Sequence, residues 1–234
     1  PADVVEHTPR HFSFSAFNRD YLMRHEGFSM VVFDSHDARK DIEDWKLKKL
    51  QTFEPLDFSR KAVMSDDRQV TVAFSLAQTL LPSAPWLGHF ACQHHLPEYY
   101  EQPQFLKHPN GSRRVKEVWI SGPRALDVLS HFEILTSVAP LAVNREQFVF
   151  HTQRGSLVVA TEAAFERAFG CPAQHTEDGP HLGGLTIECE NPDTIPSNLA
   201  AWHGDRLIVG PDRNFGTAMA FVPSFQPTLA PGAR

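Results

Sequence analysis

The residues of this 234-residue chain best suited to chemistry crowd into one stretch, residues 88–111, GHFACQHHLPEYYEQPQFLKHPNG. A short apolar run (Phe90, Ala91, Cys92) ends on Gln93-His94-His95. An acidic-aromatic cluster follows (Pro97, Glu98, Tyr99, Tyr100), and His108-Pro109-Asn110-Gly111 closes it. Imidazole nitrogen together with amide or carboxylate oxygen is a donor set that divalent metals accept. An ion so held polarises a carbonyl or enediolate on a substrate. If the apolar run is a strand, alternate side chains share a face, which sets Gln93 beside His95. The other reading is that Gln93, His94, His95 and Glu98 cap a strand end and bond the loop that follows. His108-Pro109-Asn110-Gly111 reads first as a turn, because Pro and Asn-Gly dictate backbone geometry. A contact of His108 with ligand at a cavity rim is the functional alternative.

Weaker candidates lie elsewhere. His25 and His36 sit in polar contexts. Arg60-Lys61, beside Asp57 and Phe58, either hold an anionic substrate or form a solvated face. Glu117 and Glu188 lie on apolar strands, where an unpaired carboxylate is costly to bury, so each must face solvent or find a cation. Tyr99, Tyr100 and Phe105 wall an apolar pocket or pack against a seam. Gly179, Gly183 and Gly184 lack the spacing and the lysine of a phosphate loop. No serine elbow or Cys-His pairing stands at a recognisable spacing, so nucleophilic catalysis is unsupported.

These residues need a scaffold, and composition bounds it. Hydrophobic residues make up 41% and charged residues 21%, as in ordinary globular chains, and the length is enough to bury a sizeable core. A net charge of −6 and a pI near 6.1 argue against a nucleic-acid partner. The three cysteines, Cys92, Cys171 and Cys189, are odd in number and widely spaced, which fits a reducing, cytoplasmic setting. No apolar run approaches the roughly 20 residues that span a bilayer, so no membrane partner is expected.

Along the chain a pattern recurs three times. The first copy has a strand over 28–33, Ser35 or Asp37 as N-cap, a helix over 38–50 and the hairpin RKAVMSDDRQVTVAFSL with Asp66-Asp67 at its turn. The second has a strand over 117–120, a break at Gly122-Pro123, a helix over 125–135 and the hairpin EQFVFHTQRGSLVVAT. The third has a strand over 185–188, a poorer helix containing Pro196 and the hairpin DRLIVGPDRNFGTAMAFV. Laid over one another, the hairpins share a frame of apolar strand, polar turn and apolar strand. Such self-similarity outranks any single motif as evidence of architecture. One β-α-β-β(-β) unit cannot cover both faces of its sheet, so copies must pack together. Ahead of them, 18–24 suits a short helix, and the alternating residues His11 to Ser15 read as the tail of a fourth unit whose start is absent. The resulting division is 1–26, a remnant; 27–112, the first unit; 113–170, the second; and 171–234, the third with a tail.

Repeated strand-helix-hairpin units resemble the vicinal oxygen chelate superfamily, and more narrowly its bacterial glyoxalase-like proteins. The likeness is carried by EGFSMVVFDSHDARKDIEDW, FEPLDFSRKAVMSDDRQVTVAFSL, FACQHHLPEYY and KHPNGSRRVKEVWI, over about residues 17–125, with 183–222 adding weaker support. It implies an α+β fold of βαβββ modules forming open cups, often around a divalent metal (Zn, Fe, Mn or Ni). Carried over by position, it makes Gln93 the best match to a ligand site, with His95 as its same-face neighbour. In the metal-dependent reading both are ligands, while Glu98, as general base or as a support behind the ligands, and His108, as a rim contact, are the catalytic candidates. Ser29 or Met30 stands where a histidine ligand is expected, and the last strands near Val158 and Ala220 offer none. The function implied is a metal-dependent lyase, isomerase or ring-cleaving dioxygenase acting on a small oxygenated metabolite. The alternative is a non-catalytic binder of the bleomycin-resistance type, its cup lined by Phe and Tyr. The partners expected are a small-molecule ligand and, for a homodimer, a second copy of the chain.

Overall fold

Two β-sheets with helices between and outside them make up the computed structural model, which describes residues 4–64, 66–99, 101–174 and 176–224. The chain opens on helix α1 (Phe14–Leu22), not on a strand fragment. Ser13 sets this start: its hydroxyl accepts from the Ala16 N–H at 3.2 Å, and Ala16, Phe17 and Tyr21 then fall on one buried face. The alternation of residues 11–15 is therefore the approach to a helix cap.

Strand β1 (Met30–Ser35) leads to α2 (Ala38–Leu47), capped by Asp37, which accepts from Arg39 N and Lys40 N at 3.1 Å each. Ala38, Ile42 and Trp45 form its buried stripe. There follow β2 (Gln51–Thr52), β3 (Leu56–Val63), β4 (Gln69–Leu80) and β5 (Gly88–His94). The sheet order is β1-β5-β4-β2, with β3 also on β4; β1 and β5 run parallel and the other pairs antiparallel.

The second sheet starts with β6 (Ser112–Ser121), then α3 (Leu129–Thr136), β7 (Leu141–Asn144), β8 (Gln147–His151) and β9 (Ser156–Ala160). Helix α4 (Glu162–Phe169) leads to β10 (His181–Cys189), β11 (Ala201–His203), β12 (Arg206–Val209) and β13 (Ala218–Pro223). The order is β11-β12-β13-β10-β6-β9-β8-β7. The parallel pairs β6–β9 and β10–β13 close two units of one plan, and their first strands, β6 and β10, meet antiparallel at the centre. The third unit lacks the helix expected near Pro196 and has a short 3-10 turn, Pro192–Thr194, in its place. Pro192 is suited to the first position of that turn, but Pro196 lacks the N–H that a longer helix would bond to the Pro192 carbonyl.

The hairpins expected to be equivalent are not all in the same frame. β8–β9 and β12–β13 are third and fourth strands of their units, whereas β3–β4 are earlier strands and β5 completes theirs. An apolar-turn-apolar pattern does not encode a strand's rank in its unit.

The largest core lies between the sheets. Ile42 and Trp45 of α2 pack with Val31 and Ala91 of the first sheet, with Val128, Phe132 and Leu135 around α3, and with Ile120, Leu157 and Val159 of the second. Trp45 Nε1 donates to the Leu135 carbonyl at 3.2 Å. A second core lies on the opposite face of the second sheet, where α4 packs against Trp119, Val158 and Ala220.

Candidate functional site

The structure puts Gln93 and His95 on one side of the first sheet, and that side faces α2. Gln93 registers with Ser75 on β4 and Ser35 on β1, and Ser75 registers with Asp57 on β3. This polar row runs beneath the α2 N-terminus. Gln93 Oε1 accepts from the Ala38 N–H at 3.2 Å, so it satisfies one of the donors that a helix start leaves open. His95 lies just past β5, exposed, with Nε2 2.8 Å from Ser75 Oγ. Ser75 in turn donates to Asp57, whose carboxyl also pairs with Arg39. The Arg39 bond, then the Ser75 bond, holds Asp57 down to a pKa of about 2.

Asp, Ser and His thus form a chain, but in an order unsuited to a nucleophile. The serine proton is directed at the carboxylate, and the histidine N–H points at the serine oxygen. A catalytic serine needs its proton on the histidine. Among the described residues no group of three or more His, Cys, Asp or Glu side chains is placed to hold a metal. With the Gln93 oxygen engaged by the backbone, these residues do not fit a metal centre.

Glu98 is exposed on a short 3-10 turn, Pro97–Tyr99, and its carbonyl accepts from Gln102 Nε2. His108 is exposed in the turn that its carbonyl closes with the Gly111 N–H at 2.9 Å. Gly111 takes a φ of +71°, which an L side chain rarely adopts, and that explains the Asn-Gly signature. Tyr100 lies outside the described residues, and Phe105 is half exposed. The His25 side chain is buried, its Nδ1 3.1 Å from Asp178 Oδ2, and Arg24 pairs with the same carboxylate; together they tie the end of α1 to the approach to β10. Arg60 and Lys61 are exposed on β3.

Both sheet hollows are occupied by helices. On the first sheet the face opposite α2 carries Gly88 and Phe90, and α1 lies there, with the Phe14 ring 5.1 Å from Phe90. On the second, Phe165 and Phe169 of α4 stack at 4.4 Å and meet Trp119 edge-on at 6.3 and 5.3 Å. The first-strand carboxylates have found cations. Glu117 Oε2 accepts from Thr186 Oγ1 at 2.6 Å, Trp119 Nε1 at 3.0 Å and Arg206 Nη1 at 3.2 Å. Burial pushes Glu117 up, but the Thr186 bond and the Arg206 charge outweigh it and hold the carboxyl below its usual value. Glu188 pairs with Arg114 at 2.8 Å.

A groove of about 600 Å³ lies between the sheets, within the usual range of ligand sites. Its apolar part is Val31, Phe33, Trp45 and Leu157; its charged part includes Asp34, Asp41, Asp44, Lys116 and Arg154. The β8–β9 turn stands over it, and Arg154 Nε bonds Asp34 at 2.8 Å. Burial raises the Asp41 pKa against a hydrogen bond from Ser35. His36 and His94 line the groove; Gln93, His95, Glu98 and His108 do not. The sequence reading missed this site because its walls come from different units. It missed α4 too, although Thr161 as N-cap, Phe165–Phe169 at i, i+4 and Gly170 at the end were visible signals.

With this geometry established, comparison with solved structures decides the fold. A hypothetical protein from Staphylococcus aureus superposes over 91% of this chain and 72% of its own, with a TM-score of 0.60 at 9% identity. A fusion of a xylose isomerase-like TIM barrel with a 4-hydroxyphenylpyruvate dioxygenase matches 92% of this chain at a TM-score of 0.50 and 11% identity; the chain spans 41% of its length. The fold is α+β, built of repeated βαβββ modules in open sheets. At these identities the likeness concerns the fold alone. No family model matches the sequence, and no curated protein does.

Proposed function

We propose that this vicinal-oxygen-chelate-like protein is a small-molecule binder that uses the groove between its sheets, with no metal centre in its cups. The observation that supports this is one of placement. Helices α1 and α4 lie in both hollows, while a ligand-sized groove with an apolar floor and ionic rim remains between β1, α2, β6 and the β8–β9 turn. The reading is that of the bleomycin-resistance type, with the ligand moved from the cup to the seam. A cytoplasmic setting belongs to the same proposal, supported by the free thiols Cys92, Cys171 and Cys189.

Two measurements test it together. A metabolite screen by thermal shift, followed by amide mapping of the hits, is expected to place bound ligand at the groove. Metal analysis by mass spectrometry on protein purified without chelator is expected to find no stoichiometric divalent ion. About one equivalent of such an ion, lost on His95→Ala, would overturn the reading in favour of a glyoxalase-like metalloenzyme.

A further inference from the structure

Four consecutive residues of β1, Val31 to Asp34, line the groove. Successive side chains of a strand point to opposite faces. Consecutive residues therefore share one groove only when the edge of the strand looks into it. β1 is the terminal strand of its sheet: β5 pairs with one side, and no strand among the described residues pairs with the other. Such an edge offers a row of N–H and C=O groups that template another strand. Elsewhere the chain satisfies the first strands of its units by pairing β6 with β10. We propose that the groove takes an extended amide chain, a short peptide, as an added strand on β1.

The shape of the groove selects this occupant over a second copy of the sheet. The β8–β9 turn stands across the space, tied by Arg154 to Asp34 on β1 itself and to Glu101 at 2.6 Å. What is left runs along four residues of strand, about 13 Å, and admits one chain, not a sheet. Side chains of an added strand alternate as well. One set meets Phe33, Trp45 and the Asp41–Asp44 wall of α2; the other meets Val32 and Asp34. Asp44 is paired with Lys40, whereas among the described residues Asp41 has the Ser35 hydroxyl and no ion pair. A half-buried carboxylate of this kind calls for a basic side chain beside apolar ones.

This inference rests on the groove being the binding site, and the test separates the two. The probe is the pentapeptide Ac-Val-Lys-Val-Lys-Val-NH2, titrated into 15N-labelled protein, alongside two forms N-methylated at alternate residues. The parent is expected to shift the amides of residues 31–34 and 152–156. One N-methylated form should bind at least tenfold more weakly and the other like the parent, because only one set of N–H groups faces β1. Asp41→Asn should weaken the lysine peptide about tenfold and leave a serine-for-lysine version unchanged. Equal binding of all three peptides, or self-association that perturbs the β1 amides without peptide, would overturn strand addition. If the peptides fail while an apolar dye, anilinonaphthalene sulfonate, still shifts the groove amides, the groove stands and this inference falls. If neither reaches the groove, both fall.

Discussion

The first sheet holds one βαβββ unit by itself, and the second holds two units joined edge to edge through β6 and β10. In the second sheet the first strands are paired with each other and the hollow is packed: Trp119, Phe165 and Phe169 are each at most 1% exposed. In the first sheet α1 covers part of one face, Val32 and Phe58 stay 52% and 44% exposed, and the β1 edge is open to the groove. The same unit is thus structural where it has a partner and available for binding where it has none. Pairing of first strands, more than the identity of any ligand residue, decides which half has room for chemistry.

The strongest way to break this comparison is to empty the packed hollow. Phe165→Ala removes a fully buried ring that stacks on Phe169 and meets Trp119 edge-on, and is expected to cost about 3–5 kcal/mol. Phe14→Ala, which trims a partly buried ring on the first sheet, should cost only about 1–2 kcal/mol. Urea unfolding of both variants checks the contrast; equal losses would erase the distinction between the two hollows.

The seam between the sheets carries the next effect. His89 on β5 donates its Nδ1–H to the Leu87 carbonyl at 2.8 Å, which leaves Nε2 to accept from His131 Nε2–H of α3 at 2.7 Å. Burial lowers the His89 pKa to about 4; burial and then the neighbouring His89 lower that of His131 to about 3. Both folded values lie below that of the unfolded chain, so unfolded protein takes up protons first as the pH falls. Stability is complete above about pH 6.5 and drops toward pH 4, by up to about 2.7 kcal/mol per pH unit if two protons are involved. Urea midpoints measured from pH 7 to 4 test this, and His131→Leu should halve the slope. A flat profile would mean that the pair does not hold the two sheets together.

How much of this was legible beforehand depends on whether the information was local. Asp37 as N-cap, the Asp66-Asp67 turn and the Gly122 break lie where local chemistry puts them, because a cap or a positive φ is decided within a few residues. The alternation that set Gln93 beside His95 also held. Which face they shared did not follow, since both faces of β5 are apolar enough to be covered and the side chosen depends on where α2 packs. Residues 11–15 show a conflict of periods: two apolar-polar alternations, Phe12-Ser13 and Phe14-Ser15, are too few to outweigh one serine cap. The groove is assembled from β1, α2, β6 and the β8–β9 turn, and no window of sequence contains it.

A smaller effect distinguishes the two carboxylates on first strands. Glu117→Gln leaves Arg206 half-compensated beside Trp119, with both original side chains about 20% exposed or less. The expected loss is about 2–3 kcal/mol, under the figure for a fully buried pair, measured by chemical denaturation and little changed by salt.

The least effect on folding should come from Arg154, and that is what makes it useful. Its guanidinium reaches Asp34 at 2.8 Å and Glu101 at 2.6 Å, but its side chain is 64% exposed. Pairs of that exposure contribute less than about 1 kcal/mol and are screened by salt. Arg154→Ala should therefore leave the unfolding midpoint nearly unchanged while removing the tie that holds the β8–β9 turn against β1. If the open edge of the first unit is the binding element, the variant changes ligand affinity without changing stability, and high salt reproduces part of the change in the parent protein. A stability loss as large as that of Glu117→Gln would show instead that the turn is a strut, and that the first unit depends on the second as closely as β6 depends on β10.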